Sequence, residues 1–262
     1  MTSSIERLVD GLVDAYDPGR SVPLPHEVMS LGLDDARQVR AGVLRRLGDA
    51  RGAVVTGYKV GLTSATAQAA MGARDPVYGE LLDPWILRSP ARITTGDLHC
   101  AVVEAELAFV FDEPLSPRAS RDEIAAKSRV TAAMDVPDSR CAGWYPIADV
   151  VLVDLVADNA FAGRLVVGEA TVPTASVDLV ATRVELRVDG TPVDHGTGAN
   201  VLGDPLAAVV WLSDQLADRR LAIKAGDVVS AGTMTAPVVG RPGLFEADFG
   251  ELGTATLEIS PS

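Results

Sequence analysis

The sequence predicts an α+β fold: a small helical N-terminal region leading into a larger, β-rich domain. Three observations carry this. Apolar residues recur at helical spacing over the first fifty positions. From about residue 94 onward, short β-branched runs alternate with Gly, Pro and Asp turns. The chain has 262 residues, 47% of them hydrophobic, enough for a sizeable core and too apolar for disorder. The change of pattern falls between residues 52 and 95. The division is drawn after residue 75, giving a helical N-terminal region (residues 1–75) and a β-rich domain (residues 76–262).

In the first helix Ile5, Leu8, Val9, Leu12, Val13 and Tyr16 form one stripe. Ser3 and Glu6 have the spacing of a capping box, and Asp17-Pro18-Gly19 stops the run. A Pro-containing linker, Val22 to Pro25, follows. A second helix uses Leu33, Ala36, Val39, Val43 and Leu47 and leaves near Gly48 and Gly52. Residues 53–62 read as a strand; Met71-Gly72 and 76–84 read as loop with short structure. Further strands are expected at 101–111, 129–136, 150–156, 164–168, 182–188, 227–231 and 254–259. Two helices interrupt them. One starts at Ser120 with Glu123 three residues on; the other is capped by Asp204 with Pro205 in its first turn.

Composition excludes several classes. A formal net charge of -13 argues against nucleic acid and anionic membrane surfaces as partners. No apolar stretch reaches membrane-spanning length, since Asp149, Asp154 and Asp158 interrupt the most apolar region. Cys100 and Cys141 are too few for a disulfide framework, and no signal-peptide pattern is present, which reads as a reducing, cytoplasmic setting. His26, His99 and His195 form no ligand-spaced cluster, so a Cys/His zinc site is not expected. Trp85, Trp144 and Trp211 read as packing residues.

The most informative run is Val103-Glu104-Ala105-Glu106-Leu107. On a strand, 103, 105, 107, 109 and 111 give a wholly apolar face, while Glu104 and Glu106 share the other face with Val102 and Ala108. Two such carboxylates stand roughly 7 Å apart and repel by about 2 kcal/mol at an effective dielectric near 20. A hard divalent cation, Mg²⁺ or Mn²⁺, would relieve that; a half-exposed polar face is the alternative. Asp135 ends a second strand, facing away from Val130, Ala132, Met134 and Val136, and is a candidate third ligand. Lys59 lies in the apolar run Tyr58 to Leu62. It either snorkels outward or neutralises a buried anion.

Five ordered motifs then resemble one family. They are Gly57-Tyr58-Lys59-Val60-Gly61-Leu62-Thr63-Ser64, Val103 to Phe109, Met134-Asp135-Val136-Pro137-Asp138-Ser139-Arg140, Val156-Ala157-Asp158-Asn159-Ala160, and Ala231-Gly232-Thr233. Together they are similar to the 2-oxopent-4-enoate hydratase and 4-oxalocrotonate decarboxylase group of the fumarylacetoacetate hydrolase superfamily. The resemblance runs from about residue 30 to the C-terminus. It implies a β-rich roll of the fumarylacetoacetate hydrolase C-terminal type, a Mg²⁺ (or Mn²⁺) site and a homo-oligomer. It implies Glu104, Glu106 and Asp135 as metal ligands, Lys59 as the catalytic residue, and Gly61, Leu62, Ser64, Asn159 and Thr233 around a small 2-oxo acid substrate. The implied chemistry is that of a lyase working through a metal-stabilised enolate, either hydrating 2-hydroxypenta-2,4-dienoate or decarboxylating 2-oxohex-3-enedioate. Two residues depart from the pattern. Asp135 stands where the group has Glu, which leaves open a hydrolase acting on C–C bonds. Val77 stands where hydratases of the group carry an acid–base Asp, which leaves open a decarboxylase or a non-catalytic metal-dependent binding protein.

Overall fold

The computed structural model describes residues 3–17, 19–146 and 149–262. Pro18, expected to help stop the first helix, and the side chain of Ser3, its expected cap, lie outside what is described. Helices α1 (Ser3–Asp14), α2 (Pro25–Val28) and α3 (Leu33–Arg51) come first. They lead to β1 (Val55–Gly61), α4 (Ala65–Ala70), β2 (Val77–Leu82), β3 (Ile86–Arg88), β4 (Ala91–Thr94) and β5 (Val102–Phe111). Then follow α5 (Arg121–Lys127), β6 (Ser128–Val136), α6 (Leu152–Ala157), β7 (Arg164–Val167), β8 (Val172–Pro173), β9 (Arg183–Val188) and β10 (Thr191–Thr197). The chain ends with α7 (Pro205–Ala217), β11 (Val228–Thr233), β12 (Val238–Val239), β13 (Gly243–Asp248) and β14 (Thr254–Ser260).

Among the described residues the strands form two sheets. The larger has the order β2-β1-β11-β5-β6-β7-β3, with β12 added to β5 and β8 to β6. The smaller has the order β10-β9-β13-β14-β4. The larger sheet separates two cores. One side chain set of β5 and β6, from Val103 to Phe111 and from Val130 to Val136 at alternate positions, packs with α7 and the smaller sheet. Val102, Ala108 and Ala133, on the opposite face, pack with α1, α3 and α6. The alternation expected for residues 101–111 and 129–136 therefore holds. β1 lies within this same sheet, bonded in parallel to β11 and antiparallel to β2.

Several elements match the sequence reading closely. Gly52 ends α3 in the left-handed region at φ 62°, where a side chain would be strained. Ser120 caps α5 through its side chain, and Asp204 caps α7 with Pro205 in the first turn. One expectation is corrected and another is made specific. The run 150–156 is not a strand: Leu152–Ala157 is helix α6, its first turn fixed by the Asp154 carboxylate, which accepts the Val151 N–H at 2.9 Å. A short apolar run has no decisive period, and the buried contacts of Asp154 with His26 decide for helix. Residues 76–84, expected as loop with short structure, contain strand β2 (Val77–Leu82). Its Gly79 is there for close approach, since a Cβ would stand 2.3 Å from the Asn159 carbonyl oxygen.

Candidate active site

Strand register brings the acidic residues together. Glu104 on β5 lies directly opposite Asp135 on β6, with Glu106 one step further along the same face. One carboxylate oxygen from each of Glu104, Glu106 and Asp135 lies within 4.8 Å of the others. Lys59, on β1, reaches the same point: its Nζ is 2.6 Å from Asp135 Oδ2. Glu106, Asp135 and Lys59 are buried, and Glu104 keeps part of its surface open.

Glu106 is aimed by β11. The register of β11 against β5 shifts between Ser230 and Thr233, and this irregularity turns two donors onto Glu106 Oε2. The Gly232 N–H donates at 2.9 Å, and the Ser230 hydroxyl donates to the same oxygen. Gly232 has no alternative: φ is +111° and a Cβ would meet Thr63 Oγ1 at 2.2 Å. Asp135 is treated differently. Its Oδ2 has the Coulombic contact with Lys59, yet neither carboxylate oxygen accepts a well-formed hydrogen bond among the described residues.

The electrostatics follow from three acids and one base. Burial pushes the Glu104 carboxyl up to about 7, against the pull of Lys59. Burial and the neighbouring Asp135 and Glu104 charges hold Glu106 well above the usual carboxylate range. Asp135 is also raised by burial, opposed by Lys59. For Lys59, burial works against the charge, but Asp135, Glu104 and Glu106 outweigh it and raise its pKa. One cation facing three carboxylates leaves an excess of two negative charges when all are ionised. An all-oxygen donor set with that excess, including a buried oxygen without a hydrogen bond, fits a hard divalent cation. Glu104, Glu106 and Asp135 are the residues that could hold it.

A cavity of about 100 Å³ opens beside this centre. Lys59, Gly61, Leu62 and Glu104 line it, as does Val77, which pairs with Gly61 across β1 and β2. Leu62 turns into it from a left-handed backbone (φ 55°). The other sequence-derived substrate residues have different places. Ser64 caps α4 by accepting the Ala67 N–H at 3.1 Å. The Thr233 hydroxyl donates to the Thr235 carbonyl at 2.6 Å. Asn159 clips the Glu80 backbone: its Nδ2 donates to the Glu80 carbonyl at 2.8 Å and its Oδ1 accepts the Glu80 N–H at 2.9 Å. That clip fixes the turn Asn159–Phe161, whose three residues all have φ 53°, and so sets Ala160 and Phe161 in the cavity wall.

The rest of the wall escaped sequence reasoning. Met71, Trp144, Leu155 and Pro237 come from separate loops and helices, and no spacing rule links them. Trp144, read as packing from the sequence, lines the cavity. Arg140 does not: it is locked to Asp158 at 2.6 Å and serves the scaffold.

Comparison with known proteins agrees with this geometry. Residues 66–259 match the family described as fumarylacetoacetate (FAA) hydrolase C-terminal. The chain is 31% identical to a 2-keto-4-pentenoate hydratase of Paraburkholderia xenovorans (strain LB400) over 259 residues, 97% of this chain and 94% of the relative. It is 36% identical to a 4-oxalocrotonate decarboxylase of Pseudomonas sp. (strain CF600) over 202 residues, covering 76% of this chain and 75% of the relative. In structure it resembles the 4-oxalocrotonate decarboxylase of Pseudomonas putida G7, solved with magnesium and adipate. The TM-score is 0.90 at 28% identity, over 99% of this chain and 98% of that one. On these grounds the chain is an enzyme of the fumarylacetoacetate hydrolase C-terminal family, in the branch whose members are named 2-keto-4-pentenoate hydratase and 4-oxalocrotonate decarboxylase.

Proposed function

We propose that the protein is a magnesium-dependent lyase for a small 2-oxo acid, and that its reaction is decarboxylation of a 2-oxohex-3-enedioate. One observation carries the choice: the cavity beside the carboxylate cluster is walled by Val77 and other apolar side chains, with Lys59 as its only lining cation among the described residues. A divalent cation bound by Glu104, Glu106 and Asp135 would supply Lewis acidity toward the C2 oxygen and the adjacent carboxylate of the substrate.

The chain's own residues account for the rest. In the decarboxylation the bond between C5 and the distal carboxylate breaks. Its electron pair moves through the conjugated chain to the C2 oxygen, carbon dioxide leaves, and that oxygen takes up one proton to give the dienol. Negative charge thus leaves the apolar end and appears at the Lys59 end. Lys59, whose Nζ stands 2.6 Å from Asp135 Oδ2, is placed to donate a hydrogen bond to the charge that develops there. The apolar wall disfavours the distal carboxylate and favours neutral carbon dioxide, so it acts with the reaction. No proton has to be delivered at the far end, and a valine at position 77 is no handicap.

Hydration is the second reading, favoured by the hydratase relative that matches 97% of the chain. It needs a proton carrier near C4, which Val77 is not. The resemblance also implies a homo-oligomer, which the molar mass in solution checks. The deciding experiment offers 2-oxohex-3-enedioate and 2-hydroxypenta-2,4-dienoate separately to magnesium-loaded and chelated protein. Carbon dioxide release from the diacid, lost on chelation and restored by Mg²⁺, is expected. Loss of dienol absorbance from the monoacid selects the hydratase, and full turnover after exhaustive chelation refutes the metal assignment.

A further inference from the structure

Ser230 stands in the middle of the larger sheet. In register it lies between Lys59 on β1 and Ala108 on β5, so its side chain shares a face with Lys59, Glu104 and Glu106. Its neighbours Val229 and Ala231 point the other way, into the core beneath α7 and the smaller sheet. Ser230 is fully buried, and its hydroxyl donates to Glu106 Oε2. The Gly232 N–H donates to the same oxygen at 2.9 Å. A carboxylate oxygen offers two lone-pair sites, and these two donors take both on Oε2. Oε1 is left with no hydrogen bond among the described residues. The two oxygens of one carboxylate are thus unequal: one is saturated by the fold, the other is open.

We propose that Ser230 is a positioning residue that restricts Glu106 to ligation through one oxygen, and thereby favours magnesium over calcium at this centre. The proposal rests on the metal reading above and adds the group that sets the choice of ion. Carboxylates ligate calcium through one oxygen or both, in adaptable sites of six to eight ligands. Magnesium takes six in a near-ideal octahedron and has no use for a chelating carboxylate. For Oε2 to ligate as well, one of its two donors has to let go. That leaves either a buried hydroxyl or a buried N–H without an acceptor, which the fold resists. Ser230 acts through Glu106 alone: no covalent bond to it forms or breaks, and its proton stays on its oxygen.

The test uses the full-length protein stripped of metal. Calorimetry gives Kd for Mg²⁺ and for Ca²⁺, each added alone, in the native protein and in Ser230→Ala, which removes the hydroxyl and keeps the backbone N–H of Gly232. The ratio of the calcium Kd to the magnesium Kd is expected to fall about tenfold in the variant, the size of effect seen when a group that orients a metal ligand is lost. A ratio that does not change overturns the proposal, because a merely structural serine weakens both ions alike. A second measurement needs no variant. In crystals of the native protein grown with Ca²⁺, Glu106 is expected to ligate through Oε1 alone, with Ser230 and Gly232 still on Oε2. Calcium within about 2.6 Å of Oε2 overturns the proposal, whether or not Ser230→Ala folds. A native protein that binds neither ion refutes the metal reading, and the selection falls with it. A native protein that binds both, with the ratio unmoved in the variant, refutes the selection alone.

Discussion

Two buried ion pairs lie on the same side of the larger sheet, and both close at 2.6 Å: Lys59 with Asp135, and Arg140 with Asp158. Their surroundings differ. Asp158 accepts from Arg140 Nε, from the Ser139 hydroxyl at 2.7 Å and from the Arg140 N–H at 2.9 Å. Arg140 spends its other nitrogens on the carbonyls of Ala162 and Asp158, and its guanidinium stands 4.4 Å from the Tyr16 ring centroid. Asp135 meets Lys59 and, among the described residues, no further cationic side chain, and it shares its corner with two more carboxylates. A saturated pair is complete and specifies a fold; an unsaturated one with excess charge has capacity left for a ligand. The motifs divide accordingly. Asp138-Ser139-Arg140 with Asp158-Asn159 builds the scaffold, and Glu104-x-Glu106 with Asp135 and Lys59 builds the centre.

Breaking the saturated pair is expected to have the largest effect. Arg140→Met leaves Asp158 buried without its cation and should cost about 3–5 kcal/mol of stability, read from urea unfolding, or prevent folding altogether. An Arg140→Met protein of native stability would erase the distinction. Asn159→Ala removes two hydrogen bonds to the Glu80 backbone, at about 1 kcal/mol each. The stability loss of about 2 kcal/mol should come with a raised KM, because the turn that carries Ala160 and Phe161 loosens.

The unsaturated pair should respond in the opposite sense. Glu104→Gln removes one of three mutually repelling carboxylates. At pH 8 the metal-free variant is expected to melt about 2–4 °C above the native protein, the equivalent of about 1 kcal/mol. In calorimetry it should lose magnesium binding. A lower melting temperature would show that Glu104 contributes to the fold rather than to the site.

The smallest effect concerns the scaffold's rim. Asp138 accepts from the His99 and Cys100 backbone N–H groups and faces the His99 ring, while His99 Nε2 meets the Arg20 carbonyl at 2.8 Å. The hydrogen bond to Asp138 raises the His99 pKa above its ordinary 6.5. The added stability is therefore fully present below pH 6.5 and fades as pH rises through the folded-state value. The melting difference between native protein and His99→Gln should shrink from about pH 6 to about pH 9. A difference that stays constant would show that the ring acts without its charge.

Much of this was legible in the chain itself. The alternation in 101–111 and 129–136 identified the apolar face of β5 and of β6, because a period of two is a local property of extended backbone. The same alternation placed Glu104 and Glu106 on one face and Asp135 away from its apolar neighbours. Helix caps at Ser120 and Asp204 and the glycine stop at residue 52 were legible for the same local reason. Residues 150–156 misled, since an apolar run without a period takes its structure from what packs on it, here His26 against Asp154. In residues 76–84, read as loop with short structure, pairing with β1 decided that the short element is a strand.

By itself the sequence determined the inventory and the facing: which strands exist at the centre, and which three acids and one lysine they present. Only the tertiary structure decided that Glu104 stands opposite Asp135, that Arg140 is spent on Asp158, and that Val77, Trp144 and Phe161 share one cavity wall. The reason is the range of the forces involved. Facing follows from backbone geometry over a few residues, whereas strand register, hydrogen-bond saturation and cavity shape depend on segments that meet only when the chain has folded.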